Sequence, residues 1–136
     1  MITNLTHTFI YVLNQDEALK FYTEILGFDL KANFPLGPDK KWISVSPPKE
    51  GNLEIVLMKA TEGPFFTKDT ADEVNQLVSK GILGWCVFQC TDIYATYEEL
   101  KSKGVEFLNP PTETPAGISA NFKDNSGNWF SLTQHQ

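Results

Sequence analysis

Apolar and polar positions alternate through most of the chain in short runs, and three stretches switch to helical spacing. Residues 5–13, LTHTFIYVL, are rich in β-branched and aromatic side chains and predict a strand. Asn14, Gln15 and Asp16 then form a turn that supplies an N-cap. In the following EALKFYTEIL, Leu19, Phe21, Tyr22, Ile25 and Leu26 make a helical apolar stripe, and Gly27 stops the helix. Residues 28–34 predict a second strand, KWISVS a third that ends at Pro47-Pro48, and LEIVLM a fourth.

Residues from about 59 to 81 break this rhythm. They are polar, contain Gly63-Pro64, and carry one helical stretch with Val74, Leu77 and Val78, which reads as a connector. The pattern then starts again. ILGWCVFQC predicts a strand, TDIYATYEELKSKG a capped helix ending at Gly104, and VEFL a strand. After a proline-rich turn come the strand ISANFKD, the tight turn NSGN and the last strand, WFSLTQ.

Strand, helix and three strands therefore occur twice. The repeat has a fixed offset: Gly27 and Gly104 lie 77 positions apart, as do Glu54 and Ser131, while His7 and Trp85 lie 78 apart. The expected fold class is α+β, with tandem βαβββ modules forming a cavity-enclosing mixed sheet. The expected layout is a single domain over residues 1–136, with module 1 at about 4–58, the connector at about 59–81 and module 2 at about 82–134.

Strand periodicity sorts the faces. Thr8, Ile10 and Val12 point to the helix, and His7, Phe9 and Tyr11 point the other way. In the fourth strand Leu53, Ile55 and Leu57 face the helix, and Glu54, Val56 and Met58 face the cavity. In module 2, Trp85, Val87 and Gln89 face in, as do Trp129, Ser131 and Thr133. With Trp42, these positions give the cavity wall an aromatic, soft character, which favours an apolar or aromatic ligand. The competing reading of each single ring is ordinary sheet core.

Composition narrows the function. Of 136 residues, 41% are hydrophobic and 21% charged, the balance of a globular protein with a core of its own. Net charge is −6 and all 11 basic residues are scattered lysines, so a phosphate-binding stripe is missing and nucleic acid is not an expected partner. No apolar run reaches 18 residues, and MITNLTHTF lacks the basic and apolar regions of a secretory signal; a cytoplasmic protein is expected, with no membrane partner. Cys86 and Cys90 fall in one expected strand about 13 Å apart at ~3.3 Å per residue, too far to bridge. They read as small buried hydrophobes.

Two motifs carry a family resemblance. HTFIYVLNQDEALKFYTEILGF at the front and FKDNSGNWFSL at the back resemble the vicinal oxygen chelate superfamily, which includes glyoxalase I, extradiol dioxygenases and bleomycin-resistance proteins. Asn14 stands where aspartate is usual and Asn125 where proline is usual. The resemblance spans essentially the whole chain and is more specific for fold than for reaction.

In metal-dependent members each module gives one ligand from its first strand and one from its last. Here the resemblance places those positions at His7, Glu54, Trp85 and Ser131. Imidazole and carboxylate suit Mn, Fe, Ni or Zn, but an indole has no lone pair to give and a neutral serine hydroxyl is a poor ligand. The expectation is therefore no resident cofactor, with a divalent metal at His7 and Glu54 as the alternative.

Two functions follow. The leading one is a bleomycin-resistance-like protein that encloses a small, partly aromatic organic molecule between Phe9, Tyr11, Trp42, Met58, Trp85, Gln89, Trp129 and Ser131. The alternative is a metal-dependent lyase or dioxygenase of the glyoxalase type that uses His7 and Glu54. Those two residues are the candidate catalytic pair, or else merely satisfy each other on a half-buried wall. The resemblance also implies a homodimer, and leaves open whether a cavity belongs to one chain or is shared by two.

Overall fold

Strand pairing follows the duplication. The structure, a computed structural model, describes residues 1–84 and 86–135. The chain divides into two compact units, Met1–Gln76 and Leu77–Gln136, each built on its own four-stranded mixed sheet.

The first unit contains β1 (His7–Tyr11), α1 (Gln15–Lys20), β2 (Asp29–Pro35), β3 (Lys41–Ser46) and β4 (Glu54–Met58). Its strand order is β1-β4-β3-β2, with β1 parallel to β4 and the other pairs antiparallel. Asn14 caps α1, its side chain accepting the Glu17 N–H at 2.9 Å, and Asp16 and Glu17 put negative charge at the helix start. A π-helical turn, Phe21–Ile25, continues the helix until Gly27 takes a φ of +79°.

Gln15, expected in a turn, is buried and ties the start of the helix to the sheet. Its Nε2 donates to the carbonyls of Lys41 and Leu57 at 2.8 and 2.7 Å, and its Oε1 accepts the Lys41 N–H at 3.0 Å. Beneath the helix lie Ile10, Val12, Ile43, Val45, Ile55 and Leu57, all nearly inaccessible. Full burial of such a side chain contributes about 1.5–3 kcal/mol.

The second unit takes in the last residues of α2 (Lys68–Ser79), then β5 (Val87–Gln89), α3 (Ile93–Ser102), β6 (Thr112–Thr114), β7 (Gly117–Lys123) and β8 (Trp129–Gln134). Strand order is β5-β8-β7-β6, the same arrangement as in the first unit. Asp92 caps α3 by accepting the Ala95 N–H at 3.1 Å, and Gly104 ends it at φ +89°. Asn14 and Asp92 thus cap the two module helices at equivalent places.

The expected strand at 105–108 is corrected. Phe107 makes only an isolated bridge to Phe122, and the strand beside β7 is Thr112–Thr114. Pro110-Pro111 interrupts the run, because proline has no N–H to donate to a ladder. The first strand of module 2 is also shorter than expected, with Cys86 and Cys90 flanking β5.

The turn before β8 is built around buried Asp124. Its Oδ1 accepts the N–H groups of Ser126, Gly127 and Asn128 at 2.9, 3.0 and 3.0 Å, and its Oδ2 accepts Asn128 Nδ2 at 3.0 Å. Gly127 is required there. Its φ is +111°, and a Cβ would lie 3.0 Å from the carbonyl oxygen of Val78.

Candidate functional site

Alternation on β1 leaves Ile10 and Val12 in the core and Phe9 46% exposed on the opposite face. The β1–β4 register puts His7 opposite Glu54, Phe9 opposite Val56 and Tyr11 opposite Met58. Toward the opposite edge of the sheet, Phe34 of β2 is paired with Trp42 of β3. Chain segments remote in sequence thus deliver their rings to one surface.

Trp42 is the hub of that surface. His7 and Phe9 meet it edge-on at centroid distances of 5.9 and 5.8 Å, and Phe34 lies nearly parallel to it at 6.3 Å. Phe34 is 48% exposed, so this is a ring cluster the fold has not covered. Tyr11 packs edge-on against Phe66 at 5.8 Å, which ties the connector loop to the same sheet. Val56 and Met58, expected to face the cavity, are buried, because β4 is a central strand flanked by side chains of β1 and β3.

Glu54 gives the surface its charge. Ser44 Oγ donates to Glu54 Oε1 at 2.7 Å. His7 Nε2 lies 3.7 Å from Glu54 Oε2, which is an ion pair only when the imidazole is protonated and too long for a hydrogen bond. The other imidazole nitrogen, Nδ1, is 2.9 Å from Thr6 Oγ1. Glu54 keeps 29% of its side-chain surface exposed, and among the described residues no lysine pairs with it.

The second unit presents a different chemistry. Val87 and Gln89 are exposed, and the register sets Val87, not residue 85, opposite Ser131. This is a two-residue slip relative to the His7–Glu54 pair, and a slip of two preserves the face. Trp85, the expected counterpart of His7, lies outside the described residues. Ser131 Oγ donates to Asn121 Oδ1 at 2.7 Å, and Asn121 Nδ2 donates to Asn109 Oδ1 at 3.2 Å. The indole of Trp129 has the Lys123 ammonium over its ring at 4.8 Å and packs against the backbone of Gly81.

Both cysteines are free. Burial pushes the Cys86 thiol up from its ordinary pKa. Burial also raises Cys90, against a lowering hydrogen bond with Thr96 and with a further push from Asp92. Neither is an activated thiolate.

The residues present do not fit the divalent metal that the family resemblance implies. Only His7 and Glu54 are strong donors. The Ser131 hydroxyl is neutral and gives its proton to Asn121, and indole has no lone pair for a cation. Among the described residues, no three His, Cys, Asp or Glu side chains gather where they would hold an ion.

A cavity of about 330 Å³ lies elsewhere in the first unit, where the start of α1 meets the β2–β3 turn. Asn14, Asp16, Pro38, Lys40, Lys41 and Lys59 are among the residues lining it, and it includes none of the expected site residues. Its charges are partly self-paired, with Lys41 Nζ 2.8 Å from Asp16 Oδ1.

Sequence reasoning missed Ser44 and Phe34. The repeat offset carried a signal for the first: Ser44 and Asn121 are 77 positions apart, like Glu54 and Ser131, so each bridging partner stands ten residues before the residue it holds. Phe34 had no such signal, because which residue β2 sets beside Trp42 depends on its register across a bulge between Leu30 and Ala32.

The fold agrees with the comparisons to known proteins. The sequence profile of the Glyoxalase/Bleomycin resistance protein/Dioxygenase superfamily matches residues 4–132, and the chain belongs to that superfamily. Among its relatives, the uncharacterized protein YetH of Bacillus subtilis (strain 168) is 34% identical over 98% of this chain and 100% of its own length. Among solved structures, UcmS2 superposes with a TM-score of 0.88 at 40% identity, covering 98% of each chain. TnmS3, an antibiotic binding protein from Streptomyces sp. CB03234, superposes with a TM-score of 0.76 at 29% identity, over 99% of this chain and 98% of its own.

Proposed function

We propose that this protein captures a small, partly aromatic organic molecule on the ring-bearing face of the first unit's sheet. The observation that carries this reading is the uncovered cluster at Trp42. Three rings converge on one indole, and two of the contributing phenylalanines stay nearly half exposed where a sheet face would otherwise be closed. The likeness to an antibiotic-binding protein supports the same class of ligand.

In this reading His7 and Glu54 are polar contacts for the ligand, and Phe9, Tyr11 and Trp42 supply apolar contact area. The protein works as a homodimer in the cytoplasm, where a reducing environment suits its two free cysteines. No helix among the described residues is long and apolar enough to cross a membrane.

Isothermal titration with 1-naphthalenemethanol tests the reading. The wild-type chain is expected to bind it, and Trp42→Ala to weaken binding by about tenfold or more, the loss of one aromatic pair plus its buried area. Trp42→Phe keeps a ring and is expected to fall between. Equal affinity in all three proteins would overturn the proposal.

A further inference from the structure

We infer that the site selects a cationic ligand, an aromatic molecule carrying a protonated amine, and that Glu54 is its counter-charge. This rests on the ring-face reading above and adds to it the electrical sign of the ligand.

Glu54 has one oxygen held by the fold and one left open. One oxygen, Oε1, is held by Ser44 at 2.7 Å. The other, Oε2, has the imidazole of His7 at 3.7 Å and no hydrogen-bond donor among the described residues. Glu54 keeps 29% of its side-chain surface exposed, so Oε2 stays open to a donor that a ligand brings. Four ion pairs occur among the described residues, and none brings a lysine to Glu54.

The surroundings select for a cation. His7 touches both the carboxylate and Trp42, so the unmet oxygen and the ring cluster are contiguous. Phe9 and Phe34 extend the cluster. Electron-rich ring faces attract a cation, and a carboxylate beside them adds a charge-assisted hydrogen bond. The same groups repel a carboxylate or phosphate ligand, and the chain's net charge of −6 works in the same direction at long range. An ammonium donates to Oε2 while its apolar body lies on the rings. A neutral alcohol of the same shape makes the weaker version of that hydrogen bond.

Three matched probes test this on the full-length protein in EDTA: 1-naphthylmethylamine (protonated at pH 7), 1-naphthalenemethanol and 1-naphthoate. The wild-type chain is expected to bind the ammonium about tenfold or more tightly than the alcohol, and the carboxylate most weakly. Glu54→Gln keeps the shape and the Ser44 contact, and is expected to bring the ammonium-to-alcohol ratio close to one, chiefly through weaker binding of the ammonium. Thermal denaturation of Glu54→Gln checks that its fold is intact; Glu54→Asp, which retains the charge, is expected to keep a preference for the ammonium. Equal binding of ammonium and alcohol by the wild type, or a preference that survives Glu54→Gln, overturns the inference and leaves the aromatic-ligand reading standing. Failure of all three probes to bind overturns both.

Discussion

Ser44 holds Glu54 across β3 and β4, its hydroxyl donating to Oε1 at 2.7 Å. In the second unit Asn121 and Ser131 stand at the positions 77 residues further on and bond at the same 2.7 Å, with the roles exchanged: Ser131 donates and Asn121 accepts. The duplicated scaffold has kept a cross-strand bridge at one place and changed its charge. In the first unit the bridge steadies an anion beside aromatic rings; in the second it is a neutral link that continues to Asn109.

Ser44→Ala is expected to cost about 0.5–1.5 kcal/mol in urea denaturation, the worth of one hydrogen bond to a partner that water can still reach. It is also expected to weaken ligand binding, because Glu54 loses its fixed rotamer. Unchanged binding in Ser44→Ala would show that the clamp does not position the carboxylate.

Gln15→Ala is expected to be more damaging. It removes three hydrogen bonds and leaves the Lys41 N–H and two carbonyls without their partner in a largely buried place. A loss of about 2–4 kcal/mol is expected by equilibrium denaturation. A loss no greater than that of Ser44→Ala would mean the helix start is held by packing alone.

Much of the fold could be read from the pattern of residues, and the failures have physical causes. Asn14 was recognisable as a cap because its side chain acts locally, on an N–H three residues away. Gln15, its neighbour, reaches across to Lys41 and Leu57, 26 and 42 positions away, and nothing local announces that. Residues 105–108 have strand composition, but the prolines that follow decide where β6 begins. That His7, Glu54, Phe9 and Trp42 share one face of the sheet followed from strand alternation. Phe34 depended on register, Ser44 on a repeat offset taken one residue pair too few, and the burial of Met58 on strand order.

Both thiols should react slowly with alkylating or disulfide reagents at neutral pH in the folded protein, since burial raises their pKa values. The fold holds each thiol proton more tightly than the unfolded chain does, so the unfolded chain ionises first as pH rises. Stability is therefore expected to be full below the ordinary thiol range and to decline above it. Comparing unfolding midpoints across that range for the wild type and Cys86→Ser checks this; a steeper decline in the serine variant would contradict it.

Asp124→Ala is expected to cost about 3 kcal/mol or more, because three backbone N–H groups in a buried turn lose one acceptor together. The turn orients β8, so amide exchange should rise along Trp129–Gln134 before it rises in the first unit. Uniform acceleration across both units would argue that the turn acts only on global stability.

The most direct measurement of the central claim is an NMR titration of the three tryptophan indole N–H signals with 1-naphthylmethylamine. The Trp42 signal is expected to shift progressively and saturate, and the Trp129 signal, packed between Lys123 and Gly81, to stay within a small fraction of that change. A saturating shift at Trp129 with none at Trp42 would contradict the assignment of the ligand to the first unit's sheet.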